Sequence, residues 1–167
     1  PLQEITLNRS NSEGNSRNTT GFAEVEFFDG LKFTFNAVIG LNESRATSTK
    51  NPFYGQFADG GGSVSKEHSR TLYVNLQQLL NYRKTIADVH NITVLFGHEN
   101  YKALSYGLSA SKSQMFSMEN DELNGAVVDG QGAASSRSEY NNEGYLARAQ
   151  YDYDEKLFLS ASYRRDA

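Results

Sequence analysis

The chain has 167 residues, no cysteine, a net charge of −4 and a pI near 5.4. This length suits one domain; disulfides and thiolate metal sites are excluded, and the absence of a basic cluster argues against nucleic-acid binding. The mean hydropathy of −0.61 excludes a helical membrane span, but not a membrane β-barrel, whose strands alternate apolar and polar residues.

The N-terminal part of the chain is predicted to hold a short strand and then a loop. Residues 2–7 have the composition of a short strand. Residues 8–20 are rich in Asn, Ser, Arg and Thr, whose side chains favour turns by bonding to their own backbone. We therefore expect the regular sheet to begin after residue 20.

Residues 22–41 predict a β-hairpin around Asp29-Gly30, because this dipeptide suits a two-residue type I′ turn. Side chains along a strand alternate between two faces. One face of the hairpin is apolar throughout its second arm, and the opposite face carries Glu24, Glu26 and Lys32. The apolar positions of the second arm are Leu31, Phe33, Phe35, Ala37, Ile39 and Leu41.

Four further strands are predicted by the same alternation. They cover residues 71–82, 92–96 with an extension towards 101, 145–151 and 157–163. Residues 76–80 also fit the start of a short helix, and residues 114–123 fit one helical segment within a loop. The fold class expected is all-β, an antiparallel up-and-down meander of about six strands, with eight as the alternative count.

The two predicted faces differ in charge. The apolar face contains no charged residue, and Gln78 is its one polar position, whereas Glu24, Glu26, Lys32, Arg148 and Arg164 lie opposite. An arginine or lysine on the lipid face near a bilayer midplane costs roughly 2–4 kcal/mol. A charge-free face is therefore what a membrane strand requires.

The predicted connections alternate between short and long. The short ones are 29–30, 83–90 and 152–155, and the long ones are 42–69 and about 102–138. In a meander this places all long loops at one end, as in outer-membrane barrels. Soluble sandwiches seldom sort their loops in this way.

Two predicted strand pairs carry residues in a specific order and spacing. Residues 80–86 followed by 90–97 carry a Tyr-x-Lys-Thr stretch, a His, an alternating run and a Gly. Residues 144–167 form the next pair and carry Arg148, Tyr151, Tyr153, Lys156, Arg165 and Asp166. Both pairs resemble strand pairs of SusC/RagA-type TonB-dependent outer-membrane transporters, and the second pair matches more specifically. The resemblance implies that residues 1–167 are a single fragment of such a receptor's barrel, a partial transmembrane β-barrel with two long loops and no plug domain.

Further expectations follow from this resemblance. The parent protein would reside in the outer membrane of a Gram-negative cell and import glycans or peptides. Its partners would be the TonB energy-coupling protein, a SusD-like surface lipoprotein and membrane lipid. Glu24, Glu26, Lys32, Arg148 and Arg164 are the lumen-facing candidates. An isolated fragment with one apolar face is expected to self-associate.

Loop aromatics supply the candidates for ligand contact. Tyr54, Phe57 and Tyr106 can stack on sugar rings. His68, His90 and His98 lack metal-site spacing, and no catalytic constellation or cofactor motif stands out, so neither enzyme activity nor a cofactor is expected. The alternative kept open is a soluble β-sandwich that binds carbohydrate through its long loops, with a β-sandwich hydrolase as a weaker third.

Overall fold

The computed structural model describes residues 7–167, except for the side chains of residues 129–131. Six strands lie in one sheet in sequence order, so that β1 and β6 form its edges. The strands are Arg9–Phe28 (β1), Leu31–Lys50 (β2), Ser63–Ile86 (β3), His90–Met115 (β4), Ala126–Tyr153 (β5) and Leu157–Asp166 (β6). The predicted antiparallel meander is confirmed, and the single sheet excludes a β-sandwich for residues 7–167.

The strands extend much further than the alternation of apolar residues predicts. The predicted loops 8–20, 42–69 and 102–138 are largely strand, and the long connections shrink to 51–62 and 116–125. Cross-strand pairs of small polar side chains hold these extensions, as between the hydroxyls of Thr71 and Ser105 at 3.0 Å. Backbone pairing with a neighbouring strand therefore outweighs the local turn preference of Ser, Asn and Thr.

The turn at Asp29-Gly30 joins β1 and β2 as predicted, but its type is different. Gly30 has φ of +87°, whereas Asp29 is not among the described residues with positive φ, so a type I′ turn is wrong. A single left-handed residue at the end of the loop is typical of a type I turn with a bulge. Consecutive positive φ values occur instead at Ala87-Asp88 and Asp154-Glu155.

The helices predicted at 76–80 and 114–123 are not present in the structure. Residues 76–80 lie inside β3, and of 114–123 only Leu123 is helical, as the first residue of a 3-10 turn, Leu123–Gly125. Leu7 is helical and not part of a strand, and residues 2–6 lie outside the described residues. Among residues 7–167, no helix has the length and apolar character needed to cross a membrane.

The chain divides into two compact units. Unit 1 contains the residues up to Arg17, 41–72 and 104–138, and unit 2 contains 18–40, 73–103 and 139–167. Both long connections belong to unit 1, and the turns at 29–30, 87–89 and 154–156 all belong to unit 2. The predicted sorting of short and long connections is therefore present in the structure.

Unit 1 contains a small core beneath its loops. Val64, Met115 and Ala126 are buried, and Met118 and Leu123 pack against them. The backbone carbonyls of Gly61 and Gly62 accept hydrogen bonds from the N–H groups of Met115 and Gln114 at 2.9 and 3.2 Å. These contacts tie the connection 51–62 to the end of β4.

Candidate functional site

A ladder of tyrosines runs across the polar face of unit 2. Tyr73 on β3 stacks on Tyr101 of β4 with ring centroids 6.2 Å apart, and Tyr101 meets Tyr140 of β5 edge-on at 6.0 Å. The Tyr73 hydroxyl donates to Asn18 Oδ1 at 2.6 Å. The Tyr73 ring lies over Gly40, where an added Cβ would come within 2.1 Å of its Cζ. The ladder thus fills the space that the glycine leaves on β2.

An ion-pair network lies on the same face. Arg164 Nη2 lies 3.2 Å from Glu99 Oε2 and 2.9 Å from Asp166 Oδ1. Asn75 Nδ2 donates to the other oxygen of Glu99 at 3.3 Å. This network connects β3, β4 and β6 through side chains that alternation places on one face. It provides a fixed, hydrogen-bonded polar surface.

The structure brings some of the predicted lumen-facing residues together and leaves others apart. Lys32 Nζ and Glu24 Oε1 form an ion pair at 2.8 Å, and Arg164 belongs to the network with Glu99. Glu26 and Arg148 are exposed. The β5–β6 register places Arg148 opposite Ser162, and Leu146 opposite Arg164. The predicted division of these two strands into two faces is therefore correct.

Within residues 7–167, no second layer covers the apolar face of unit 2. Phe27, Phe96, Leu159 and Tyr163 are 61%, 56%, 58% and 67% exposed. In a water-soluble protein such a row of side chains would form the core. The sheet therefore presents one apolar face to its surroundings and one polar face with an internal hydrogen-bond network.

One polar cluster interrupts this apolar face. His98 Nδ1 lies 2.6 Å from Gln78 Oε1, and His98 Nε2 lies 2.8 Å from Glu143 Oε1. Tyr145 packs against the imidazole with centroids 4.8 Å apart. The predicted exception at Gln78 is thus explained, because its side chain is paired with the histidine across the strand.

The predicted ligand-contact residues all lie in unit 1, but in different settings. Tyr54 and Phe57 belong to the connection 51–62, where Lys50 Nζ lies 5.3 Å from the Phe57 ring. Tyr106 was expected in a loop and instead lies within β4, with the Arg137 guanidinium 5.5 Å from its ring centroid. The three aromatics therefore do not form one loop cluster.

Asn51 anchors the first long connection and is not among the predicted functional residues. It is fully buried, and its Nδ2 and backbone N–H both donate to Asn8 Oδ1, at 3.1 and 2.9 Å. Its own Oδ1 accepts from the backbone N–H groups of Phe53 and Tyr54 at 3.0 and 2.8 Å. The Asn-Pro dipeptide at 51–52 is a turn signal that points to this position.

The histidines are engaged by neighbouring side chains. His68 Nε2 lies 2.7 Å from Glu43 Oε1, and this hydrogen bond, with a weaker one from Arg45, lowers the pKa of Glu43. His90 Nδ1 lies 2.6 Å from the Tyr151 hydroxyl. Within residues 7–167 no group of three His, Asp or Glu side chains is positioned to hold a metal ion.

The fold defined by these features is that of a segment of a transmembrane β-barrel in meander order, and solved structures contain it. Three of these structures are the RagAB peptide importer in its 'closed-closed' state, the RagAB peptide transporter, and the RagAB peptide importer in its 'open-open' state. Their TM-scores against this chain are 0.86, 0.87 and 0.85, in the same order. Each of the three is 21% identical to this chain. The matches cover 96%, 97% and 97% of this chain, in the same order.

The predicted resemblance to SusC/RagA-type transporters is thus confirmed at the level of the fold. This chain spans 18% of the length of each of those chains. No family model matches the sequence, and no curated protein matches it.

Proposed function

We propose that this chain is part of the barrel of an outer-membrane nutrient importer of the SusC/RagA type. It supplies wall strands and external loops. The observation that carries the proposal is the contrast between the two faces of one sheet, in a fold shared with the RagAB importer. The role is transport and not catalysis.

The apolar face fits contact with lipid. Its large side chains are exposed in the structure, and burying each would contribute on the order of 1.5–3 kcal/mol. A bilayer covers such a face without a second sheet, because barrels alternate apolar-out with polar-in residues. The Glu99–Arg164–Asp166 network on the opposite face then lines the interior, where a plug would pack.

The loop end fits an external position. Unit 1 holds both long connections, and in outer-membrane barrels the longer loops are external. Asn51 fixes the backbone of the first connection, so that Phe53 and Tyr54 remain 61% and 54% exposed on a defined support. Exposed aromatics on a fixed loop suit contacts with a cargo or with a lipoprotein lid.

Peptides are the cargo that we favour, since the neighbouring structures are named as peptide importers. Glycans are the second candidate, because exposed Phe53 and Tyr54 can stack on sugar rings. Measuring the binding of a peptide mixture and of an oligosaccharide mixture to the purified gene product distinguishes these two classes of cargo. Tyr54→Ala should weaken binding of whichever class gives a signal. A SusD-like lipoprotein and TonB are the proposed partners.

Membrane placement is tested by spin labels on the two faces of β6. The chain has no cysteine, so Ala161→Cys and Ser162→Cys each give one attachment site in this segment. Ala161 lies opposite Ala149 on the apolar face and Ser162 opposite Arg148 on the polar one. In membranes containing the gene product, we expect the label at 161 to collide with oxygen far more than with a water-soluble nickel reagent.

The label at 162 should show low oxygen access whether water or a plug surrounds it. Continuing the scan through residues 158–163 should give the same alternation. Equal accessibility at 161 and 162, or greater nickel than oxygen access at 161, would overturn the proposed membrane placement. So would recovery of the gene product in the soluble fraction.

A further inference from the structure

A cavity of about 380 Å³ opens on the apolar face of unit 2. Its lining is mainly apolar and draws on five neighbouring strands, β2 to β6, through Phe33, Leu80, Phe96, Ala147 and Tyr163. Phe96 and Tyr163 are 56% and 67% exposed, so the cavity is open to the surroundings of the sheet. Its volume is in the range of sites that hold small molecules.

The polar cluster around His98 borders this cavity. Gln78, His98 and Tyr145 belong to the lining, and Glu143 follows Tyr145 on the same face of β5. Glu143 Oε1 lies 2.8 Å from His98 Nε2 and accepts from the Tyr145 hydroxyl at 3.2 Å. Both contacts are made by Oε1, so within residues 7–167 the second carboxylate oxygen has no donor, and the Glu143 side chain is 42% exposed. The apolar cavity is thus bordered by a carboxylate that can accept a further hydrogen bond.

A positive charge lies diagonally across the β5–β6 pair from this carboxylate. The register places Arg165 opposite Tyr145, and the backbone N–H of Glu143 donates to the carbonyl of Ala167 at 3.1 Å. Glu143 and Arg165 are therefore diagonal neighbours on one face, a relation that places Cβ atoms about 7–8 Å apart or somewhat less. Arg165 is exposed. One anionic and one cationic group thus stand side by side next to the apolar cavity.

We propose that this is a binding site for a lipid with an ethanolamine phosphate headgroup. One acyl chain occupies the cavity, the ammonium group donates to Glu143, and the phosphate binds Arg165. Charge complementarity carries this choice, because an ammonium group is a pure donor that suits the open carboxylate oxygen and a guanidinium group suits phosphate. A choline headgroup has no N–H to donate, and a soluble zwitterion gains nothing from the apolar lining. The proposal rests on the membrane placement proposed above.

The test compares three lipids that share the same acyl chains: phosphatidylethanolamine, phosphatidylcholine and phosphatidylglycerol. Native mass spectrometry counts the copies of each that the purified gene product retains in detergent. The unmodified protein should bind one copy of phosphatidylethanolamine about 10-fold more tightly than either other lipid, the effect of one hydrogen bond to a charged group. Glu143→Gln should reduce this preference to less than about 3-fold, since the acceptor is then neutral. Glu26→Gln removes an exposed carboxylate from the opposite face and should leave the preference unchanged.

A second pair of variants tests the acyl chain. Ala147→Trp fills the cavity and should release the tightly bound phosphatidylethanolamine, whereas Ala149→Trp should retain it, because Ala149 shares the face but does not line this cavity. Soluble phosphoethanolamine at the same concentration should not displace the lipid. Equal binding of the three lipids, an unchanged preference in Glu143→Gln, equal losses in the two tryptophan variants, or displacement by phosphoethanolamine would each overturn the assignment.

These outcomes are separable from those of the proposed function. If the spin labels alternate on β6 but the three lipids bind equally, the lipid site fails and the membrane placement stands. If the labels do not alternate, the membrane placement itself fails.

Discussion

Replacing Gly40 with alanine tests how the tyrosine ladder fits the sheet. An alanine Cβ would lie 2.1 Å from Tyr73 Cζ and 2.4 Å from its hydroxyl oxygen, so the ring has to move. Its displacement loosens the stack on Tyr101 and breaks the 2.6 Å hydrogen bond to Asn18. Overpacking costs about 1–3 kcal/mol and a lost hydrogen bond about 0.5–1.5 kcal/mol. We expect Gly40→Ala to destabilise the protein by about 2 kcal/mol.

The control is Gly21→Ala, also in unit 2. An added Cβ there meets nothing within 4 Å, and Gly21 is not among the glycines with positive φ. Alanine at such a position stabilises by about 0.4–1 kcal/mol because it restricts the unfolded chain. For both variants, the urea concentration at the midpoint of unfolding is measured in lipid vesicles. The folded fraction is read from the electrophoretic mobility of the folded form.

A double-mutant cycle tests whether the cost of Gly40→Ala comes from the contact with Tyr73. In a Tyr73→Ala background the ring is absent, so Gly40→Ala should cost less than about 0.5 kcal/mol. The coupling between the two positions should then be at least about 1.5 kcal/mol, within the range for residues in contact. If Gly40→Ala costs no more than Gly21→Ala, or costs the same with and without Tyr73, the packing argument is refuted.

Two further predictions concern the lipid face and the first long connection. Ala161→Arg should lower the stability of the membrane-inserted protein by about 2–4 kcal/mol, and Ser162→Arg by less than half as much, measured by the same urea midpoints; equal losses would contradict the assignment of faces. Asn51→Ala should speed protease cleavage within 51–62, because two backbone N–H groups lose their acceptor. Exposed Asn124→Ala should leave that cleavage unchanged, and an equal effect of both variants would contradict an anchoring role.

The hairpin and the two faces could be predicted because their signals are local. Asp29-Gly30 indicates a turn independently of the rest of the sequence. The alternation of Phe33, Thr34 and Phe35 determines which side chains share a face. The register of β5 and β6 agrees with the predicted division of faces down to single residues. The type of the turn was wrong because Asp-Gly also suits turns in which only the glycine is left-handed.

The strand extensions could not be predicted from local composition. The run 42–50 is polar and lacks the apolar alternation of a strand. It becomes strand because its neighbours offer backbone hydrogen bonds and hydroxyl partners, as Ser69 does for Ser44 at 2.8 Å. The ion-pair network was hidden for a similar reason. Arg164 was placed on the polar face, but its partner Glu99 lies 65 positions away in the sequence. Only the strand order brings them together.

The two rims of the sheet have a consequence for recognition. Within residues 7–167, every residue of β1 and of β6 is exposed, and each of these two strands has one hydrogen-bonded neighbour. Backbone donors and acceptors along such a rim act as a template for another extended segment. In the barrel proposed above, these two rims would be the places where neighbouring wall strands pair with β1 and β6 through backbone hydrogen bonds.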